Sequence, residues 1–256
     1  MAAGQRLDER VLAEGLAESR SIAQGLIRAG RVLVDDTPVD KPGTRIRSEA
    51  SLRIKGGVRR FVSRGGDKLA GALDALGVDC TDRHCLDVGA STGGFTDCLL
   101  QRGARHVVAL DVGTGQLHEK LRQDPRVFAL ERVNARHLEA SQLPYPVEFV
   151  TVDTSFISVT LLLPRLAEVA PAAELLVMVK PQFELRRDQV GKGGVVRDDG
   201  LREAAVDRVR MCAAGLGYEP LGQVDSAIHG PKGNREIFLW LRRSSSDACG
   251  ETQTLG

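Results

Sequence analysis

Four side chains that lie far apart in a chain of 256 residues, Lys68, Asp153, Lys180 and Glu236, have the types needed to move a proton and compensate the charge that results. Two ammonium groups and two carboxylates can orient a hydroxyl, take its proton and steady a cationic electrophile beside it. Each stands where a strand-like run ends or a helix-like run opens. Val150-Thr151-Val152-Asp153 and Val177-Met178-Val179-Lys180 each put a charge straight after apolar residues. Between Lys68 and Asp153 lies Leu86-Asp87-Val88-Gly89-Ala90-Ser91-Thr92-Gly93-Gly94-Phe95, a strand running into a glycine-rich turn. A nucleotide-type loop beside such a quartet points to methyl transfer onto a hydroxyl. The competing reading is four unrelated surface charges. Strand-end placement weighs against it, because open α/β sheets bind ligands outside the carboxyl ends of their strands.

The loop itself separates two cofactor classes. Ser91 stands where a dinucleotide fingerprint has its second glycine, the residue that lets backbone approach a pyrophosphate. S-adenosylmethionine has no phosphate and makes no such demand. Gly89, Ser91, Gly93 and Gly94 are therefore candidate cofactor contacts, and Asp87 is expected to face the cationic methionine end through water or a backbone amide. Asp111 closes the next strand about 20 residues on, where an acid accepts ribose hydroxyls. Asn134, past the third strand, is placed to present its amide to adenine.

The elements that must position these groups read as an α/β chain. Strands are expected over 84–88, 106–111, 127–130, 149–153, 175–180, 221–226 and 236–241, and helices over 94–102, 116–122, 158–170 and 200–216. That alternation predicts a parallel sheet with helices on both faces, closed by two antiparallel strands. Lys68 is expected to open a helix through Leu69, Leu73 and Leu76 that ends near Gly77. Pro181 is expected to force an extended exit after Lys180.

Ahead of this core, residues 6–17 space Leu7, Val11 and Leu12 as one helical face. Ser19 is a candidate N-cap for a second helix that Gly30 ends. Arg31-Val32-Leu33-Val34, Thr37-Pro38-Val39 and Ser51-Leu52-Arg53-Ile54 read as small strands. Residues 1–64 carry 13 Lys/Arg against 8 Asp/Glu, a balance of +5, and the remainder carries 22 against 26. A basic front end on a near-neutral body suits a polyanionic partner. The glycine-rich, basic stretch 55–60 reads as a hinge. The cysteines at 80, 85, 98, 212 and 249 form no CxxC pair and stand with no paired histidines. They read as reduced thiols of a cytoplasmic protein rather than a metal or disulfide framework. No apolar run reaches the roughly 20 residues a membrane-spanning helix needs, and the start lacks a signal-peptide core.

The stretch from Arg6 to about Ile54, above all Ser19-Arg20-Ser21 through Gly30-Arg31-Val32-Leu33-Val34, resembles an S4 RNA-binding domain. Phe61-Val62-Ser63-Arg64-Gly65-Gly66-Asp67-Lys68-Leu69, the run from Asp87 to Asp97, Val179-Lys180-Pro181-Gln182-Phe183-Glu184, Gly191–Asp198 and Gly233-Asn234-Arg235-Glu236 resemble the TlyA family, S4 domains joined to FtsJ-like methyltransferases and often labelled hemolysins. One small departure from the family pattern is Asp67 beside Lys68, where a neutral or apolar residue is expected. The resemblance implies a Rossmann-type methyltransferase domain over 61–243, an S4 domain over 5–54, a linker over 55–60 and a disordered tail over 244–256. It implies S-adenosylmethionine-dependent 2′-O-methylation of ribosomal RNA, on cytidine, with Lys68, Asp153, Lys180 and Glu236 as the catalytic tetrad. Lys180 would deprotonate or steer the hydroxyl, Asp153 would orient Lys180, and Lys68 with Glu236 would hold the ribose, with no metal. The implied RNA contacts are Arg6, Arg20, Arg28, Arg31 and Lys41, continued by Arg59, Arg60 and Arg64, and the partner is ribosomal RNA or a ribosomal subunit. A membrane-lytic protein finds no spanning or long cationic amphipathic segment. A non-catalytic ribosome-assembly factor would not need the intact tetrad and loop. A pseudouridine synthase would leave Asp111 without a role.

Overall fold

The structure is a computed structural model and describes residues 4–57, 60–230 and 232–244. The expected tail beyond Ser244, Cys249 and the expected RNA contact Arg59 lie outside the described residues. Contacts divide the chain into two units, residues 1–60 and 61–256.

The N-terminal unit runs β1 (Gln5–Arg6), α1 (Leu7–Ala13), α2 (Arg20–Arg28), β2 (Val32–Val34), β3 (Thr37–Pro38), β4 (Arg45–Ile46) and β5 (Leu52–Ile54). β1 pairs with β4, and the other three form a sheet in the order β3-β2-β5. The first helix is shorter than its apolar spacing predicts, because Gly15 takes φ +68° and turns the chain. Ser19 caps α2 by accepting from the Ile22 N–H at 3.3 Å. Asp35 and Asp36, at φ 48° and 65°, make the two-residue turn between β2 and β3, a position where Asp and Asn tolerate left-handed backbone. Leu7, Val11, Ala23, Ile27, Val32, Ile46 and Ile54 close this unit's core.

The larger unit runs α3 (Arg64–Leu76), β6 (His84–Val88), α4 (Gly94–Gln101), β7 (His106–Asp111), α5 (Glu119–Arg122), β8 (Val127–Glu131), β9 (Phe149–Val152), α6 (Leu163–Val169), β10 (Glu174–Val179), α7 (Pro181–Glu184), α8 (Asp199–Ala214), β11 (Tyr218–Asp225) and β12 (Ile237–Arg243). Seven strands line up as β11-β12-β10-β9-β6-β7-β8. β8 to β10 are mutually parallel across β7, β6 and β9, and β12 and β11 add antiparallel at one edge. The central strands are apolar on both faces and divide them by alternation. Leu86, Val88, Val150, Val152, Leu175, Val177 and Val179 enter a core shared with α6 and α8. Cys85, Phe149, Leu176 and Met178 enter one shared with α3 and α4. This period of two, apolar on both sides, is what a buried parallel sheet requires.

Two local expectations are corrected. α3 starts at Arg64, with Ser63 as its cap accepting from the Gly65 N–H, so Lys68 sits in the second turn and not at the helix start. The glycine pair does not delay the helix: Gly66 is buried against Phe61, where a Cβ would collide with the ring. After Lys180 the chain is extended at one residue only. Lys180 has φ −109° and ψ 102°, as a residue before proline must, but Pro181 then occupies the first position of α7, where its missing N–H is no loss.

Candidate active site

β6 is the switch point of the sheet: the chain leaves it toward β7 and β8 on one side and returns to β9 and β10 on the other. Beyond its carboxyl end, Gly89 takes φ +88°, and a Cβ there would lie 2.5 Å from the Asp153 carbonyl oxygen. Only glycine lets the loop pass this close to the end of β9. Gly93, at φ +92°, precedes α4, and a Cβ would strike Leu117 and Leu121. Gly94 is packed against Ser63 and Gly66 of the α3 start. These three glycines therefore shape the loop, whatever it binds.

A cavity of about 510 Å³ opens beside the loop, with Gly89, Ser91, Asp111, Gln116, Asn134 and Asp153 among its polar lining and Val88, Leu110, Val133 and Leu162 on its apolar side. Asp111 is locked in place, its Oδ2 accepting from the Ser91 N–H at 2.8 Å and its Oδ1 from the Gly113 N–H at 2.7 Å. Each carboxylate oxygen keeps a lone pair for a further donor. Asn134 also lines the cavity, with its Oδ1 accepting from the Arg136 N–H at 3.0 Å.

Asp87 is corrected. It is fully buried and absent from the cavity lining; its carboxylate accepts from the hydroxyls of Thr96 at 2.7 Å and Thr151 at 3.3 Å. Burial, reinforced by the nearby Asp153 charge, pushes its acid up to about 7 against the pull of those two hydroxyls. It braces α4 against the sheet beneath the loop.

The four chemistry-bearing side chains meet at the same strand ends. Val179 of β10 pairs with Ile237 of β12, so the next residues outward, Lys180 and Glu236, fall side by side. Val152 of β9 pairs with Val88 of β6, which sets Asp153 beside Gly89. Lys180 Nζ lies 2.6 Å from Asp153 Oδ1, a charge contact off the hydrogen-bond direction, and donates to Ser155 Oγ at 3.0 Å. Lys68 Nζ reaches Glu236 Oε2 at 2.5 Å across 168 positions of sequence. Glu236 is 2% exposed and Lys68 12%, so this pair is shielded from solvent, and the attraction is stronger than at a surface. Two smaller cavities flank the quartet. One of about 360 Å³ is lined by Arg64, Lys68, Ser91, Asp153 and His229, and one of about 290 Å³ by Ser155, Lys180, Gln182, Lys232 and Glu236. Asp67 is exposed on α3, and in the first turn its charge complements the helix dipole.

Sequence reasoning missed Ser155 and Gly230. A Cβ on Gly230 would come within 2.6 Å of Glu236 Oε1, so this glycine makes room for the buried carboxylate. Its only signal was the Gly230-Pro231 dipeptide, which marks a turn and no more. Among the described residues, no group of three or more His, Cys, Asp or Glu is gathered as a metal site.

In the N-terminal unit two expected RNA contacts are already engaged. Arg6 holds the buried Asp8 through two hydrogen bonds of 3.0 Å, and Arg20 Nε joins it at 3.1 Å. Their guanidinium groups keep outward N–H groups, but they are not free cations. Arg31 donates to the Lys55 carbonyl at 3.2 Å, and Arg28, Lys41 and Arg60 are each exposed. Arg64 belongs to the larger unit and lines the cavity beside Lys68.

The FtsJ-like methyltransferase family model matches residues 61–243, and the S4 domain model matches residues 5–52. The chain is 47% identical over 250 residues, 97% of its length and 93% of the relative's, to the 16S/23S rRNA (cytidine-2′-O)-methyltransferase TlyA of Mycobacterium tuberculosis. The chain belongs to the TlyA family of FtsJ-like methyltransferases. A family member named Hemolysin A, from Brachyspira hyodysenteriae, is 42% identical, with 91% of this chain and 98% of that one covered. A solved hemolysin-named structure from Streptococcus thermophilus superposes with a TM-score of 0.73 at 39% identity, covering 96% of this chain and 90% of that one. The sheet order and switch-point cavity are those of a Rossmann-type methyltransferase, and the chain is an enzyme of that class.

Proposed function

We propose that this protein carries a methyl group from S-adenosylmethionine to the 2′-hydroxyl of a cytidine in ribosomal RNA, working in the cytoplasm on ribosomal RNA or a ribosomal subunit. The observation that carries the reading is the meeting of two lysine–carboxylate pairs at the strand ends beside the glycine loop.

The cavity suits this donor. Gly89 leaves the room a side chain would fill, Asp111 offers a fixed carboxylate for ribose hydroxyls, Asn134 an amide for a base, and the remaining wall is apolar. When bound, S-adenosylmethionine supplies an electrophilic methyl on a sulfonium. Lys180 takes or steers the proton of the attacking hydroxyl, and Asp153 and Ser155 hold its Nζ in place. Lys68 and Glu236 hold the ribose: Lys68 can donate and Glu236 accept, and each fixes the other. The S4 unit grips phosphates through Arg28, Lys41, Arg60 and the outward N–H groups of Arg6, Arg20 and Arg31, where the planar guanidinium pairs two oxygens.

Transfer of labelled methyl to ribosomal RNA, with 2′-O-methyl marks mapped on both subunit RNAs, tests this directly. Lys180→Ala is expected to lower turnover about 10²- to 10⁴-fold. Near-normal turnover by that variant rejects the role of Lys180. No mark in any ribosomal RNA rejects the substrate. Two of the relatives bear hemolysin names, and among the described residues no helix is long and apolar enough to cross a membrane.

A further inference from the structure

We propose that Glu184 is a positioning residue for methyl transfer: it clamps the loop after β9 to α7 and so sets the meeting of Asp153 and Ser155 with Lys180. The inference rests on the role proposed for Lys180.

Two segments leave the sheet side by side here, the loop 153–159 after β9 and the turn 180–184 after β10. They are joined by three rungs. Lys180 contacts Asp153 and Ser155; the rings of Phe183 and Phe156 lie 5.4 Å apart; and the Glu184 carboxylate closes the far end. Its Oε2 accepts from Ser158 Oγ at 2.5 Å and its Oε1 from the Val159 N–H at 2.8 Å. Glu184 is 2% exposed, so its carboxylate has given up water for these two donors. Burial raises its acid despite them. A carboxylate is held in such a place against its solvation only where its partners are fixed with it.

The loop needs the clamp. Among the described residues, the backbone N–H groups of 154–158 donate to no other element. Phe156 stands at φ +67° while 91% exposed, a left-handed backbone that a bulky residue keeps only when its surroundings impose it. α7, by contrast, is anchored: Arg208 Nη1 donates to the Glu184 carbonyl at 3.0 Å, and Pro181 fixes its first turn. Rigidity therefore passes from α8 through α7 to the loop, and from the loop to Asp153 and Ser155. Glu184 lines none of the three cavities at the site.

The test uses the full chain, S-adenosylmethionine and ribosomal RNA, with Glu184→Ala, Glu184→Gln, Ser158→Ala and the Glu184→Ala/Ser158→Ala double variant. Glu184→Ala is expected to lower kcat about 10- to 100-fold, the effect of a misplaced reacting group. KM for the methyl donor should stay within about twofold. Glu184→Gln, which still accepts from Val159, should fall between it and the wild type. The double variant should lose little more than Glu184→Ala alone, since both changes break one rung. A kcat within about twofold of wild type for both single alanine variants, with Lys180→Ala inactive, overturns the clamp and leaves the role of Lys180 standing. So do losses that multiply in the double variant. Should Glu184→Ala unfold, Ser158→Ala alone decides.

Discussion

Replacing Asp87 by asparagine should change how stability depends on pH, by an amount the structure sets. The carboxyl is fully buried, receives two threonine hydroxyls and has the Asp153 charge nearby, and its acid stands at about 7 against an ordinary 3.8. The folded state therefore prefers the neutral form. The corresponding stability is fully present below pH 3.8, declines as pH rises and is lost once pH passes about 7. At about 1.4 kcal/mol per pH unit, the whole interval is worth about 4 kcal/mol, and the part between pH 5 and 8 about 3 kcal/mol. Asparagine has nearly the same shape and never ionises. Urea unfolding of both proteins across pH 5 to 8 isolates the group, because every other titration is common to the two. Relative to wild type, the variant should gain about 3 kcal/mol over that range. Two profiles that run parallel, with a constant gap, would show that Asp87 is already ionised at pH 5 and that the physical account of its burial is mistaken.

Gly89→Ala places a Cβ 2.5 Å from the Asp153 carbonyl and forces a left-handed φ on alanine. It should destabilise the protein by about 1–3 kcal/mol, and calorimetry should find donor binding lost with it. Glu236→Gln removes the charge that Lys68 meets at 2.5 Å, and labelled-methyl transfer should fall about 10²-fold with the protein still folded. The Cys80 thiol, pushed up to about 11 by burial, and Cys85, pushed higher still, should resist alkylation at pH 8 in the native protein and react fully in urea, as read by peptide mass mapping.

How much was legible in the sequence follows from how local each feature is. The strands and the glycine loop were readable because alternating burial and positive φ leave marks within a few residues. The expected strands at 84–88 and 106–111 match β6 and β7, and the antiparallel addition of β12 and β11 was visible as two further apolar runs. The start of α3 was placed at Lys68 because the apolar spacing begins with Leu69, and only the packing of Gly66 against Phe61 shows the helix already running through the glycine pair. The α7 turn was hidden by its length, four residues, too few for any periodic pattern.

Side-chain roles divide the same way. A carboxylate at the end of an apolar run can be found by inspection, and Asp111 and Asp153 were. Whether a carboxylate before a glycine loop turns outward to a ligand or inward to two threonines depends on which strand lies alongside, and β9 brought Thr151 under Asp87. Arg6 and Arg20 were expected to meet RNA, and that both also pair with the buried Asp8 depends on how the two helices pack. By itself the sequence determined the fold class, the loop and the identity of the four charged side chains, since each follows from residue type and near neighbours. Only the tertiary structure decided that Lys68 answers Glu236 and Lys180 answers Asp153, because charge pairing depends on distance in space, and strand order brought together groups 168 positions apart.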